Sequence, residues 1–185
     1  MVTDETLYCR YIDGDESALR ELMERYGDAL TMYIAGMIHD VHDAEDLMLD
    51  AFVRIVMKRP HIWDKCFKAY LYKTARNLAL RFAARRKLYV CFDFEEVAGE
   101  LKSEELVEAV VQNKEQCRIL HLCMERLHDT YSEALYLVYQ EEMSYKEAAS
   151  VMGKTEKQVS DLVYRGRQAL RKLLEQEGIT NAYNG

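Results

Sequence analysis

Residues 144–171, SYKEAASVMGKTEKQVSDLVYRGRQALR, constrain the fold more than any other part of the chain. Two capping boxes mark two helix starts, because Ser144 is followed three positions later by Glu147, and Thr155 by Gln158. Gly153 lies between the two boxes, where the end of a helix needs a left-handed residue that glycine adopts at little cost. The segment therefore predicts two helices joined by a glycine turn.

The apolar pattern of the same segment predicts how its two helices pack. Val159, Leu162 and Val163 give the second helix one apolar face, and Ala149 is small enough to let that helix cross the first one closely. This layout is that of a helix-turn-helix, whose second helix enters the major groove of DNA. Nucleic-acid binding is therefore the first hypothesis for this chain.

Charge is unevenly distributed along the 185 residues. The formal net charge is −7, yet residues 54–87 hold eleven lysines and arginines and a single aspartate. Residues 1–53 hold thirteen acidic and three basic side chains, and residues 88–111 hold seven acids and one lysine. A concentrated basic segment is typical of phosphate binding, whereas the acidic segments require another partner or keep the protein soluble.

The composition predicts a reduced, all-α protein of the cytoplasm. Five cysteines are an odd number, and their spacing matches no disulfide framework. No secretory signal pattern opens the sequence, and no apolar run approaches the length of a membrane span, so membrane insertion is not expected. One proline, eight glycines and few β-branched runs favour helices throughout.

Helical periodicity predicts four helices in the N-terminal half. The first two extend over about 4–12 and 16–38, the third follows Asp43 as its N-cap and is closed by Pro60, and the fourth covers 67–87. The residues expected to face inward on the fourth helix are Phe67, Tyr70, Leu71, Thr74, Ala75, Leu78 and Phe82.

The C-terminal half has the same character after a break in the pattern. Residues 88–92 form a short apolar run that is compatible with a strand or with the end of a packed helix, and an acidic linker follows. One helix is expected from about 114 to 127, and another from Thr130, boxed with Glu133, to 141. We therefore expect two small helical domains, with boundaries at 1–90, 91–112 (linker), 113–177 and 178–185 (flexible tail).

The predicted fourth helix carries basic and aromatic residues in a regular pattern. Lys68, Tyr72 and Arg76 recur at every fourth position, and they are preceded by Trp63. An adjoining strip of the helix and its end hold Lys73, Asn77, Arg81, Arg85 and Arg86. Such a surface suits the tracking of phosphates and the stacking of unpaired bases. The alternatives are a solvated amphipathic helix and, for Trp63, a role as a core plug.

Two clusters of potential metal ligands are better explained without a metal. His39, His42, Asp43, Asp46 and Asp50 resemble ligands in type, but helix capping and the preference for acids in a first turn explain most of the pattern. Cys117, His121 and Cys123 do not point to one tetrahedral site on a helix, which favours core packing. We expect no metal, no cofactor and no catalytic residue, since no phosphate loop or nucleophile constellation is present either.

Three segments in this order resemble one known family. DAEDLMLDAFVRI (43–55), FKAYLYKTARNLALRFAARRK (67–87) and the region around the helix-turn-helix are similar to bacterial RNA polymerase sigma factors of the extracytoplasmic-function (ECF) group, which have only the second and fourth sigma domains. The resemblance covers about 4–87 and 115–175. It implies an initiation subunit that binds core polymerase, recognises the −10 and −35 promoter elements and promotes strand opening without being an enzyme.

The resemblance also implies roles for individual residues. The face that docks the β′ coiled-coil of polymerase would comprise Asp43, Glu45, Asp46, Asp50, Phe52 and Arg54. The −10 element and the melted strand would contact Trp63, Lys68, Tyr72, Lys73, Arg76, Asn77, Arg81, Arg85 and Arg86. The −35 element would contact Thr155, Lys157, Gln158, Ser160, Asp161, Tyr164, Arg165 and Arg167. Further implied partners are the β flap of polymerase and an anti-sigma protein.

Some residues depart from the family pattern, and two rival functions stay open. Tyr70 stands where the family often has tryptophan, and Leu49 replaces a polar residue. Glu156 and Asp161 put negative charge on the helix expected to face DNA. One rival is a self-sufficient helix-turn-helix regulator that binds operator DNA; the other is a metal-dependent phosphohydrolase that uses Asp43.

Overall fold

The computed structural model describes residues 2–62, 66–86, 118–120, 122–124 and 126–177. Its helices are α1 (Asp4–Ile12), α2 (Glu16–Ile38), α3 (Val41–Lys58), α4 (Phe67–Arg86), α5 (Asp129–Leu135), a π-helical turn (Tyr136–Gln140), α6 (Tyr145–Met152) and α7 (Glu156–Gln176). Residues 118–120 and 122–124 are helical as well. No strand occurs within these ranges, and the predicted all-α class is confirmed. The expectations for Trp63, the apolar run 88–92, the linker, Cys117, His121 and the tail lie outside the described residues.

Helices α1 and α2 begin and end where the sequence predicts, but α3 begins earlier. Its N-cap is Asp40 rather than Asp43: the Asp40 carboxylate accepts a hydrogen bond from the backbone N–H of Asp43 at 2.9 Å. Helix α2 ends at Ile38, and its C-cap His39 has a left-handed backbone (φ 55°) that turns the chain within one residue. The next residue, Asp40, is therefore already extended and placed to cap the new helix.

Helix α4 lies at the centre of the molecule, in contact with α1, α2 and α3 on one side and with α6 on the other. The predicted inward residues Phe67, Leu71, Ala75 and Leu78 are buried. A second set that the sequence did not indicate is buried too: Ala69, Tyr72, Ala79 and Ala83. The alanines let a second layer of helices approach closely, which explains why the amphipathic pattern of α4 predicts only half of its buried surface.

The helix-turn-helix is confirmed in detail. Both capping boxes are formed, and Gly153 ends α6 with a φ of 66°. The predicted box at Thr130 is wrong, since His128 is the N-cap of α5 and the side chain of Glu133 points elsewhere. Helix α7 crosses α5 at Gly166, where an added Cβ would lie 3.2–3.3 Å from atoms of Leu135 and Tyr131.

The two groups of helices share one hydrophobic core. We call α1–α4 the N-terminal bundle and α5–α7 with the π-helical turn the C-terminal bundle. Tyr33 of α2 lies 5.2 Å from the ring of Tyr72 in α4 and 5.8 Å from that of Tyr136 in the C-terminal bundle, measured between ring centroids. Offset and tilted ring pairs of this kind add to the stabilisation from burial. No described helix is long and apolar enough to cross a membrane.

Candidate nucleic-acid and protein interfaces

An outward face of α3 combines acidic and apolar side chains. Glu45, Asp46 and Asp50 are exposed, as the sequence predicts. Beside them lies an apolar stripe that was not predicted, in which Leu49, Val53 and Met57 recur every fourth residue and are 45%, 50% and 79% exposed. The sequence does carry a signal for this stripe, because side chains spaced by four residues share one face of a helix. An apolar stripe next to acids is typical of a protein-binding surface.

Three other predicted members of this docking face lie elsewhere. Phe52 is 2% exposed, so it packs in the core beneath this face and is not available to contact a partner. The carboxylate of Asp43 is held by Arg86, with the two groups 2.7 Å apart. Arg54 lines a cleft on the other side of α3.

That cleft separates α3 from α4, has a volume of about 210 Å³ and is strongly cationic. The predicted DNA-binding residues Lys73, Asn77 and Arg81 come together here with Arg54 and Lys58. Ile55, Tyr70 and Thr74 complete the lining, and within the described part of the chain the lining contains no acidic residue. Because the described lining carries four cations and no carboxylate, the cleft attracts phosphates.

The other predicted strip of α4 is covered by the C-terminal bundle. Arg76 donates to both carboxylate oxygens of Glu133, at 2.6 and 3.1 Å. The ammonium of Lys68 lies 3.1 Å from the carboxylate of Glu141, which also accepts from the hydroxyl of Tyr72 at 2.6 Å. Tyr72 is fully buried. The expectation that these three side chains form an open nucleic-acid surface is therefore not met in this conformation.

Burial and the two glutamates set the protonation of this covered strip. Burial, and after it the charge of Glu141, raises the pKa of Tyr72 well above its ordinary value. Tyr33 donates a hydrogen bond to Glu133 at 2.8 Å, and burial, followed by the charge of Glu133, raises its pKa as well. Burial alone would lower the pKa of Arg76, but its hydrogen bond and ion pair with Glu133 outweigh that effect and raise it. The tyrosines therefore stay neutral and the arginine stays charged.

The end of α4 is exposed and basic. Arg85 and Arg86 are both exposed, and the guanidinium of Arg86 lies 4.6 Å from the ring centroid of Phe82. This cation–π contact holds Arg86 against the helix while its other side faces Asp43.

The first turns of α7 present the predicted contact residues to solvent. Thr155, Lys157, Gln158, Asp161, Tyr164, Arg165 and Arg167 are exposed and Ser160 is half-buried. The amide oxygen of Gln158 accepts from the backbone N–H of Thr155 at 2.8 Å, so capping already engages one end of this side chain. Glu156 and Asp161 are exposed on the same helix, which lowers its general attraction for DNA.

The suspected metal ligands of the N-terminal bundle are dispersed. His39 is the C-cap of α2, Asp43 pairs with Arg86, His42 lies 3.8 Å from Glu45, and Asp46 and Asp50 are exposed. Over the described ranges no group of His, Cys, Asp and Glu is arranged to hold a metal ion. Cys123 is buried, and burial raises the pKa of its thiol.

Both bundles match models of known protein families. The model described as Sigma-70 region 2 matches residues 22–89, and the model described as Sigma-70, region 4 matches residues 117–170. The two models thus match the surfaces on α3 and α4 and the helix-turn-helix separately, in the order that the sequence resemblance implied.

Relatives and solved structures agree with these matches. The ECF RNA polymerase sigma factor SigM of Bacillus subtilis is 30% identical over 154 residues, which span 83% of this chain and 93% of SigM. SigW of the same organism is 27% identical over 175 residues, spanning 87% and 91%. Two solved structures share the fold: CnrH bound to the cytosolic domain of CnrY (TM-score 0.65, 23% identity, 94% of this chain and 98% of that one), and the sigma factor RpoE of Bartonella quintana bound to the anti-sigma factor NepR (TM-score 0.64, 19% identity, 84% and 96%).

A match to both sigma domains, together with this identity to SigM over most of both chains, confirms the resemblance. The chain belongs to the extracytoplasmic-function group of RNA polymerase sigma factors, whose partners are RNA polymerase and promoter DNA.

Proposed function

We propose that this chain is a non-enzymatic initiation subunit that binds core polymerase through α3 and promoter DNA through the α3–α4 cleft and α7. The observation that carries the proposal is the separation of charge across α3. One side of the helix exposes acids beside an apolar stripe, and the other side borders a cleft with four cations. A single helix is thereby able to contact a protein on one side and a polyanion on the other.

The polymerase contact is proposed to be the face made of Glu45, Asp46, Asp50 and the stripe Leu49, Val53 and Met57. The sequence resemblance implies the β′ coiled-coil of polymerase as the partner. The apolar stripe would supply most of the affinity on burial, since the free energy scales with the apolar area removed from water. The flanking acids would fix the orientation and exclude partners that are not basic.

The promoter contacts are proposed to be divided between two sites. The cleft residues Lys73, Asn77 and Arg81 would hold the backbone of the melted −10 strand, and Trp63 would lie in the loop that receives an extracted base. The exposed residues of α7 would contact the −35 element. With Glu156 and Asp161 among them, α7 would bind weakly alone, and carboxylates at these positions are suited to accept hydrogen bonds from cytosine amino groups.

The proposed organisation follows the predicted boundaries. Residues 1–90 would serve polymerase binding and −10 recognition, and residues 113–177 would serve −35 recognition and contact the β flap. The linker 91–112 would let the two units adjust to a promoter. The site of action would be the cytoplasm, and an anti-sigma protein is a further proposed partner, as NepR is for RpoE.

The experiment that tests the polymerase contact compares two charge reversals. Asp46→Arg changes an exposed acid on the docking face, and Glu24→Arg makes the same change on an exposed position of α2. We expect Asp46→Arg to weaken binding to core polymerase by about tenfold or more, because a like charge would face a basic partner. Glu24→Arg should bind as the wild type does. Equal affinity of both variants for core polymerase would refute the assignment of the face.

A further inference from the structure

The contact between the bundles uses the residues that α4 would need for promoter DNA. Lys68, Tyr72 and Arg76 point at two carboxylates of the C-terminal bundle, Glu133 and Glu141, which are only 5% and 7% exposed. Each carboxylate binds one cation and accepts from one tyrosine hydroxyl of the N-terminal bundle. This is the contact set that a phosphate diester would make with the same strip.

The backbone of the C-terminal bundle places these two carboxylates. Glu133 lies on α5, and Glu141 follows the π-helical turn, whose wider bond joins the N–H of Glu141 to the carbonyl of Tyr136 at 3.0 Å. Such turns are rare and often lie at functional sites. Helix α6 also contacts α4, and its Ala148 and Ala149 are buried.

We infer that the C-terminal bundle closes over α4 as an internal competitor for promoter DNA, with Glu133 and Glu141 taking the place of phosphates on Arg76 and Lys68. The closure does not depend on the proposed function, whereas the identity of the competing ligand rests on it.

The polar character of the contact explains how it opens. Separating a buried cation from its carboxylate leaves both unpaired, which is unfavourable unless a new anion binds the cation. A melted DNA strand supplies such anions, so strand binding and opening become coupled. An interface held by apolar residues alone would not respond to a polyanion in this way.

Closure leaves the other surfaces accessible. The docking face on α3, the cleft with Lys73 and Arg81, and the outer face of α7 are all exposed in the closed protein. Polymerase docking and contact with duplex DNA can therefore precede opening. The strip on α4 becomes available last, so contact with unpaired bases follows these earlier contacts.

A pair of matched variants of the full chain tests the inference. Glu133→Gln with Glu141→Gln removes both charges of the contact with little change in shape. Glu142→Gln with Glu175→Gln removes two charges from exposed positions of the same bundle and serves as the control. We expect the first variant to show a larger radius of gyration by small-angle scattering. It should also bind oligothymidylate about tenfold more tightly than the control, because a larger fraction of molecules is open.

Two outcomes would overturn the inference. A folded variant with the radius of gyration of the control would show that the glutamates do not hold the bundles together. An expanded variant that binds oligothymidylate no better than the control would show that the covered strip does not compete for DNA. Neither measurement uses polymerase, so their failure is distinguishable from a failure to initiate transcription.

A measurement on the wild-type chain covers the case in which the variant does not fold. A carbodiimide joins an amine to a carboxylate only when the two are in contact, as Lys68 and Glu141 are at 3.1 Å. We expect mass spectrometry to detect this cross-link in the wild type, and its yield to fall when oligothymidylate is added. Absence of the cross-link, or a yield that the DNA does not change, would contradict the inference.

Discussion

Helix α4 carries two strips of similar residues that differ in what covers them. Lys73, Asn77 and Arg81 line an open cleft, whereas Arg76 and Lys68 are paired with buried carboxylates of the other bundle. The strips are interleaved within about four turns of one helix, so composition and spacing do not distinguish them. The difference teaches that the accessibility of a cationic helix is decided by residues far away in the chain.

The largest effect is expected from deleting one cation of each strip. Arg76→Ala leaves Glu133 buried and unpaired, which should lower the free energy of unfolding by about 3–5 kcal/mol. Arg81→Ala removes an exposed side chain and should change the free energy of unfolding by less than about 0.5 kcal/mol. Urea denaturation of the two variants measures both values. Equal stability of the two variants would remove the distinction between the strips.

The two capping boxes of the helix-turn-helix, its glycine turn and one of the two buried sets on α4 could be predicted from the sequence, because short-range spacing determines them. The role of Glu133 could not. Its spacing from Thr130 matches a capping box, but its partner Arg76 lies 57 residues away and competes successfully for the carboxylate. The N-cap Asp40 was missed because the single-residue turn at His39 depends on a left-handed backbone that histidine seldom adopts.

The next effect concerns DNA binding by the open strip. Lys73→Ala with Arg81→Ala removes two cations from the cleft, so the slope of log affinity against log salt should become shallower by about 2 for duplex promoter DNA bound by the holoenzyme. Stability should stay unchanged, since both side chains are exposed. Titrations over a range of salt concentrations measure the slope, and an unchanged slope would show that the cleft does not contact phosphates.

Alkaline pH should lower the stability of the protein through the tyrosines at the covered strip of α4, and not through the cations of the open strip. The pKa values of Tyr33 and Tyr72 are raised in the folded protein, by burial first and then by the charge of their glutamates. Their contribution to stability is complete below the unfolded pKa of about 10 and is lost as the pH rises further, because the unfolded chain then releases protons that the folded chain retains.

Above pH 10, each such tyrosine lowers the free energy of unfolding by up to about 1.4 kcal/mol for every pH unit. Tyr72→Phe should therefore flatten the decline of stability between pH 10 and 11, whereas Tyr164→Phe, at an exposed position, should not. Thermal melting over this pH range measures the difference. An equal decline in both variants would contradict the assigned environments.

The smallest effect is expected from two helix glycines, one in each bundle. A Cβ at Gly166 would lie 3.2 Å from Leu135 and press on α5, which carries Glu133, so Gly166→Ala should destabilise the protein by about 1–2 kcal/mol. At Gly27 the nearest described atom to such a Cβ is the Cε atom of Met48, 3.9 Å away, and alanine should stabilise α2 by up to about 1 kcal/mol. Opposite signs in thermal melting are the expected result, and the same sign would contradict the close crossing of α7 on α5.

The central claim is that this chain directs polymerase to promoters through these surfaces. In vitro transcription with core enzyme tests it most directly, on templates that include the promoters of the organism's own genes. We predict discrete transcript starts when the wild-type chain is added, none with core enzyme alone, and fewer with the Asp46→Arg variant at a limiting concentration of the chain. Identical transcripts with and without the chain would contradict the claim.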